Sequence, residues 1–412
     1  MSRTRTEWIV AAWSAITFGA LLTAIMVSRP MRDSLALEGD PDQIPWLFTG
    51  TFAAFLISVP LWGSAVAKAP RRVVPRTFHS IAAFSLVFFV LMRIAIAPVI
   101  TGYAFYIWSS VYNMLVVSAF WSLLADLFDP ATARKLYGPI SAGGTIGAFA
   151  GPMLTRLALE YVDVSYMFLL IAAAFELAVI GTYQVRRYGA RLRIDPNAEK
   201  PLPPDPWAGI KHIRRNRYLA AIAGFVICTS TAATFVYLAQ AGIVKAAHFD
   251  RNERTAFFAN VELWTQGLTF GVQLLLARPL LGWLGPGLVL CVLPLAQCAG
   301  IVGLVAVPTL ATLVIVQVTS RTATHGLTRP ARELLFTVVN RDEKYRGKHV
   351  IDTLVLRFGD FASSWLYTGL VAMSAGTAML TVAAVPLTLA WLVLALILGA
   401  GFRRRVNSKE PS

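Results

Sequence analysis

Long apolar runs alternate with short polar gaps along the whole chain, at 8–28, 45–66, 78–97, 103–127, 136–157, 166–185, 219–244, 256–276, 284–305, 311–324, 350–373 and 380–401. Most are about 20 residues long, and at 1.5 Å of rise per residue that much helix crosses ~30 Å of hydrocarbon. The tenth run is short, and the pattern predicts that its helix continues into the polar stretch after Thr324. A helix satisfies its own backbone in lipid, whereas a β-barrel would show alternating segments of ~10 residues. The pattern therefore predicts an all-α membrane protein with twelve transmembrane helices. The first run lacks a small-residue cleavage signature, so it is expected to be a retained helix.

Composition agrees: 56% of the 412 residues are hydrophobic, 14% are charged, and the mean hydropathy is +0.61. The net charge of +15 would suggest nucleic acid in a soluble protein, but its distribution gives another cause. Of the 37 Lys and Arg, 28 fall in alternate gaps, those at 1–7, 67–76, 129–135, 186–217, 277–283, 325–349 and 402–412. The other gaps hold only Arg29, Arg32, Lys245, Arg251 and Arg254. Such an excess marks the cytoplasmic side, so both termini and the central loop are expected there. No nucleic-acid partner is expected. Cys228, Cys291 and Cys298 lie in apolar runs without metal-ligand spacing and read as packing residues. No phosphate-binding loop, zinc-protease or hydrolase motif is present, and neither an enzyme nor a cofactor is expected.

The longest polar gap, 186–217, contains Pro196, Pro201, Pro203, Pro204 and Pro206 and cannot be one helix. It predicts a six-helix half at 1–187, a cytoplasmic linker at 188–217 and a second half at 218–412. A short basic helix over 210–218 is expected on the membrane surface. Six helices, an inner linker and six more resemble the major facilitator superfamily. That resemblance implies two halves related by an axis along the membrane normal, with a site between them at the midplane. Gly143, Gly147 and Gly151 recur every four residues in the fifth run, spacing that suits close helix packing. The 63–76 stretch, with Gly63, Arg71 and Arg72, resembles the superfamily's basic loop between helices two and three but lacks its acidic residue.

A charge near the bilayer centre costs ~2.5–3.5 kcal/mol, so charges inside or closing the runs are candidates for function. They are Arg29, Arg32 and Asp33 closing the first run, Arg93, Asp126, Glu176, Glu262, Arg321, and the pair Arg357 and Asp360. Arg93 is close enough to a run end to snorkel. Asp126 could latch to Arg71 or Arg72. Arg357 and Asp360 share a helical face and can neutralise one another or bind a ligand. No role follows for Glu176. Tyr106, Ser110, Asn113, Val117 and Trp121 form a stripe in run four, as do Thr231, Thr234, Tyr237 and Gln240 in run seven. Each stripe could line an aqueous cavity or bond between helices.

Three blocks carry a narrower resemblance: 28–37 (SRPMRDSLAL), 117–126 (VSAFWSLLAD), and 328–360, which contains TRPARELLF, DEKYRGK and IDTLVLRFGD. Together they resemble the ATP/ADP translocase family, in its bacterial branch, whose members import or exchange nucleotides as antiporters. The family's first-helix basic motif is similar to Arg29, Arg32 and Asp33, and its fourth-helix acidic position to Asp126. Its helix-eleven motif ends R-x-G-K, where this chain has Arg357-Phe358-Gly359-Asp360. The acidic residue those exchangers carry in helix seven falls near 229–234, which has none.

The expected function is alternating-access secondary transport of an organic anion, a nucleotide or other phosphorylated solute, by antiport or proton coupling. The alternative is a lipid or amphiphile transporter of the same fold. Candidate substrate-binding residues are Arg29, Arg32, Asn113, Trp121, Arg321, Arg357 and Asp360, because arginine's planar fork suits phosphate. Candidate coupling or gating residues are Asp33, Asp126, Glu262, Arg329, Arg332 and Glu333. The last three, with Lys344, Arg346 and Lys348, are expected in an inner loop that could meet Asp126 and Asp129. The expected setting is a bacterial inner membrane, with a monomer in the bilayer and a small anion as partner. Cysteines introduced at Ser2 and Glu410 should resist a thiol reagent confined to the periplasm; periplasmic labelling of either would overturn the orientation.

Overall fold

The computed structural model describes residues 3–68, 70–125, 127–128, 130–189, 208–340, 343–373 and 378–407. Among these residues the regular elements are all helical. The first six crossings are α1 (Arg3–Leu35), α2 (Ile44–Lys68), α3 (Pro70–Arg93), α4 (Pro98–Ala125), α5 (Pro130–Ala158) and α6 (Met167–Gly189). The short basic helix expected over 210–218 is α7 (Ala208–Arg215), and it stops at Asn216. The Asn216 side chain accepts a hydrogen bond from the Tyr218 amide at 3.0 Å, capping the next helix, α8 (Arg217–Ala246).

The eighth crossing is α9 (Arg251–Val272), which runs through a π-helical turn at Gln273–Ala277 into α10 (Arg278–Ala306), the ninth. Gly285, at φ 70, breaks the helical path inside α10, a backbone conformation that suits glycine. The tenth crossing does continue past Thr324. It is built from α11 (Leu310–Thr322), a π-helical stretch at Ala323–Thr328 and α12 (Arg329–Leu335). The eleventh begins in a π turn at Glu343–Gly347, passes α13 (Lys348–Val350) and a second π turn at Ile351–Val355, and becomes α14 (Leu356–Met373). The twelfth is α15 (Ala378–Asn407). Eight stretches of the described residues are long and apolar enough to cross a membrane, and one of them, Arg251–Ala306, holds two crossings.

One expectation needs correction. Arg329, Arg332 and Glu333 were placed in a loop, and they lie instead on α12. Apolar content and helicity are separate properties: Ala331, Leu334 and Leu335 favour a helix, Pro330 is tolerated in its first turn, and the buried Ala331 and Leu335 hold it in place.

Polar residues are accommodated in the spans largely by bonding to their own helix. The hydroxyls of Thr23, Thr155 and Thr182 donate to carbonyls four residues back at 2.8–2.9 Å.

By packing, the described residues form two compact units. Unit 1 comprises those of 1–40, 53–201 and 249–263, and unit 2 those of 41–52, 202–248 and 264–412. The core of unit 1 is aromatic where α3, α4 and α6 meet. Phe105 lies 4.9 Å from Phe168 and 5.4 Å from Phe88, ring centre to ring centre. Here α5 packs directly on α1: a Cβ at Gly143 would strike the Ala15 carbonyl, and one at Gly147 the Gly19 carbonyl. The Thr23 hydroxyl reaches the Gly147 carbonyl at 3.3 Å. In unit 2, Phe225 of α8 meets Trp391 of α15 at 5.6 Å, and Gly287 and Gly399 bring α10 and α15 into backbone contact.

The α1–α5 contact can be tested with two alanines in one helix. Gly138→Ala meets nothing beyond its own chain neighbours and should be close to neutral, because the helix-propensity gain of up to ~1 kcal/mol is offset by crowding of the new Cβ against the Pro139 ring. Gly147→Ala gains helix propensity but its Cβ would strike the Gly19 carbonyl and must push α1 away, so it should lower thermal stability in detergent by about 1–3 kcal/mol. Equal effects at both positions would disprove the close contact.

Candidate functional site

Unit 1 brings together residues that sequence reasoning had assigned separate roles. Arg29 and Arg32 sit three apart near the end of α1, on one helical face. Arg29 donates through Nη1 to Glu262 Oε1 of α9 at 3.0 Å, and the Glu262 side chain is only 2% exposed. Arg32 donates through Nε and Nη2 to Asp33 Oδ1, at 2.9 and 2.8 Å. Its guanidinium also lies 5.2 Å from the ring centre of the buried Tyr106 on α4. Two turns along α4, Asn113 keeps a buried Oδ1 with no hydrogen-bond partner among the described residues. Trp121 is in a different setting, an aromatic cluster with Phe18, Phe120 and Tyr137 at 5.1–5.4 Å. Asp126 and Asp129 lie outside the described residues.

Unit 2 holds a second set. Arg357 and Asp360 on α14 form an ion pair at 3.2 Å. The second carboxylate oxygen of Asp360 accepts a hydrogen bond from the Ser230 hydroxyl of α8. A glycine at 359 makes this possible, since a Cβ there would meet Ser230 at 2.9 Å. One turn away, Ser363 donates to Thr231 at 2.7 Å. Part of the run-seven stripe therefore bonds between helices: Gln317 of α11 donates to Gln240 at 2.6 Å. Ser320 donates to Gln297 at 2.9 Å, and the half-buried Arg321 follows it in the last turn of α11. On α12, Arg329 is exposed, Arg332 pairs with Asp352 at 2.8 Å, and Glu333 pairs with Lys348 at 2.5 Å.

Sequence reasoning missed a polar cluster of unit 1 centred on Glu38. Glu38, just beyond α1, receives Arg251 in two parallel bonds at 2.9 and 3.0 Å and Arg254 at 2.6 Å. Arg254 also donates to Ser34 at 3.1 Å. Asn252 accepts from the Val164 amide at 2.9 Å and donates to the Val162 carbonyl at 3.2 Å. Nearby, burial pushes the Asp163 carboxyl up. Hydrogen bonds from Ser165 and the charges of Arg251 and Arg93 outweigh that and hold it below the usual carboxylate range. Arg251 and Arg254 had been counted only as the sparse positive charge of the outer side. The available signal was the spacing of Arg251, Asn252 and Arg254 over one turn at the start of a span. Glu176, for which no role followed, pairs with His79 at 2.6 Å, both side chains exposed on α6 and α3.

Removing one member of the Arg29–Glu262 pair leaves the other charge in a poorly solvated place. Arg29→Ala and Glu262→Ala should each lower thermal stability. The double variant should lose less than the sum, by a coupling of about 0.5–3 kcal/mol. Strict additivity in that cycle would show that the pair contributes nothing.

Comparison with known proteins gives a consistent picture. A family model described as Major Facilitator Superfamily matches residues 8–337. The chain is 24% identical over 353 residues to ADP,ATP carrier protein 1 of Chlamydia muridarum, a match covering 74% of this chain and 66% of that protein. It is 24% identical over 352 residues to the protein of the same name from Chlamydia trachomatis, with the same coverage. The chain thus spans about two thirds of the length of these curated relatives. Among solved structures it resembles the nucleoside transporter NupG, at TM-score 0.60 and 14% identity over 98% of this chain and 100% of that one. It also resembles a bacterial homologue of the iron transporter ferroportin in its inward-facing state. There the TM-score is 0.62 at 13% identity, over 98% of this chain and 99% of that one. At such identities the structural likenesses establish the fold alone.

Proposed function

Because the chain belongs to the Major Facilitator Superfamily, we propose that it is a secondary transporter working by alternating access, with an organic anion as substrate. One observation carries the reading: three arginines set in the spans, Arg29, Arg32 and Arg357, each bonded to a carboxylate. A guanidinium held by Glu262, Asp33 or Asp360 is charge-compensated without substrate, and it can exchange that partner for a phosphate in the same planar geometry. Asn113, with its buried acceptor unpartnered among the described residues, is suited to a substrate hydroxyl or amino group.

The names of the curated relatives favour a nucleotide or another phosphorylated solute. Asp360 narrows that choice. The nucleotide exchangers that this chain resembles carry a lysine in that place. Here the charge is reversed and drawn into a pair with Arg357 and a bond with Ser230. A site with less net positive charge suits a substrate with fewer phosphates than ATP. Asp360 and Glu262 are the carboxylates proposed to carry a coupling proton or to be neutralised by a counter-substrate. Arg332 and Glu333 are proposed as inner gating residues. The proposed organisation is two halves, 1–187 and 218–412, joined by a cytoplasmic linker, with both termini cytoplasmic in a bacterial inner membrane.

Purified protein in liposomes should take up a labelled nucleotide monophosphate or sugar phosphate under a proton or counter-anion gradient. Arg357→Ala should abolish that uptake. The pair Arg357→Ala with Asp360→Asn should restore thermal stability but not uptake, which separates folding from binding. Uptake at the wild-type rate by the single variant would remove the pair from the substrate path. Movement of a labelled phospholipid, with no anion transported, would favour the amphiphile alternative.

A further inference from the structure

At one end of unit 2, α8 and α15 border an open groove of about 410 Å³ lined by Arg217, Tyr218, Ile397, Ala400, Gly401, Arg404 and Arg405. We infer that this groove is a binding site for an anionic phospholipid, with the headgroup phosphate among the three arginines and an acyl chain against Ile397 and Ala400.

The composition of the groove is graded along α15. Ile397, half exposed, is followed one turn on by Ala400 and Gly401 and one turn later by Arg404 and Arg405, all on one helical face. An amphiphile has the same order of chemistry, apolar and then anionic. Residues without side-chain bulk make the space: a Cβ at Gly401 would already lie 3.0 Å from the Tyr218 ring. Arg405 is fixed in place, its guanidinium 4.5 Å from the Tyr218 ring centre and its Nη2 3.4 Å from Asn216 Oδ1. Arg217 and Arg404 are exposed, and neither forms an ion pair with a described residue.

A second observation points independently to a ligand. Tyr218 is 6% exposed, and its hydroxyl is buried without a hydrogen-bond partner among the described residues. A buried hydroxyl left so is costly, and a phosphate or glycerol oxygen supplies what it lacks. Basic residues at helix ends ordinarily do no more than orient the chain. Here three converge on one groove with an aromatic floor and an apolar wall, the arrangement by which pockets between membrane helices hold anionic headgroups.

The test titrates phosphatidylglycerol into detergent-solubilised full-length protein and reads bound lipid by native mass spectrometry and stability by thermal shift. Wild type should retain phosphatidylglycerol in preference to phosphatidylcholine and be stabilised by it. Arg217→Gln and Arg404→Gln should each weaken binding about fivefold, and the double variant more than tenfold. Tyr218→Phe should weaken it while leaving the protein folded. Arg403→Gln removes the same charge one residue away, outside the groove, and should bind as wild type does. Loss at Arg403 equal to that at Arg404 would reduce the effect to charge at a helix end and overturn the site. So would unchanged binding by the double variant. Inorganic phosphate that stabilises as well as the lipid would overturn the assignment to lipid. Anion uptake is measured separately, so failure of this site leaves the transport reading standing.

Discussion

A charge in hydrocarbon must bring its own counter-charge, and the interior chemistry of this protein follows from that constraint. The energetic penalty is set by the lone ion, so carboxylate and guanidinium occur together: Arg29 with Glu262, Arg32 with Asp33, Arg357 with Asp360. Uncharged polar groups obey the same rule in milder form. The threonines bond back along their helices, and Gln240 with Gln317 and Ser320 with Gln297 bond across them. What suits such pairs to the proposed transport is that a charged partner is replaceable. In the proposed transport cycle, the ion pair that satisfies the empty protein is the one an anionic solute would displace.

The two units also differ in how they hold their borrowed segments. Residues 249–263 come from the second half of the sequence and are anchored in unit 1 by ionic and polar bonds centred on Glu38, Glu262 and Asn252. Residues 41–52 come from the first half and are anchored in unit 2 by rings. Trp46 meets Trp365, Phe48 meets Tyr237 and Phe52 meets Phe361 at 4.9–5.7 Å, with Thr49 accepting from the Trp365 indole at 3.0 Å. Salt and pH act on the first kind of anchor and leave the second nearly untouched.

The fold was largely legible because hydropathy and charge placement are long-range averages that survive local irregularity. The twelve crossings and the extension of the tenth beyond Thr324 came from such averages, and the close packing of α5 came from the local four-residue spacing of its glycines. Pairing was harder to read, because it depends on which side chains meet across helices far apart in sequence. Arg29 was grouped with Arg32, although its recorded partner, Glu262, lies 233 positions away. Glu38, in a short connection, gave no sign that two arginines of a later span would converge on it. The end of α12 was misplaced for the opposite reason. Apolar content falls at Arg329 to Glu333, but helical hydrogen bonding continues through them.

The borrowed segment at 249–263 also constrains biogenesis. A chain made from its N-terminus delivers α1 to α6 to the membrane well before residue 263 is synthesised. At roughly 5–20 residues per second, the ribosome needs roughly 3–12 s to go from residue 201 to residue 263. For that interval Glu38 and Arg29 are already in place while Arg251, Arg254 and Glu262 are not yet made. The first helices must therefore wait in a provisional arrangement, held by water, headgroups or insertion machinery at that edge. Unit 1 closes only when a piece of the second half arrives.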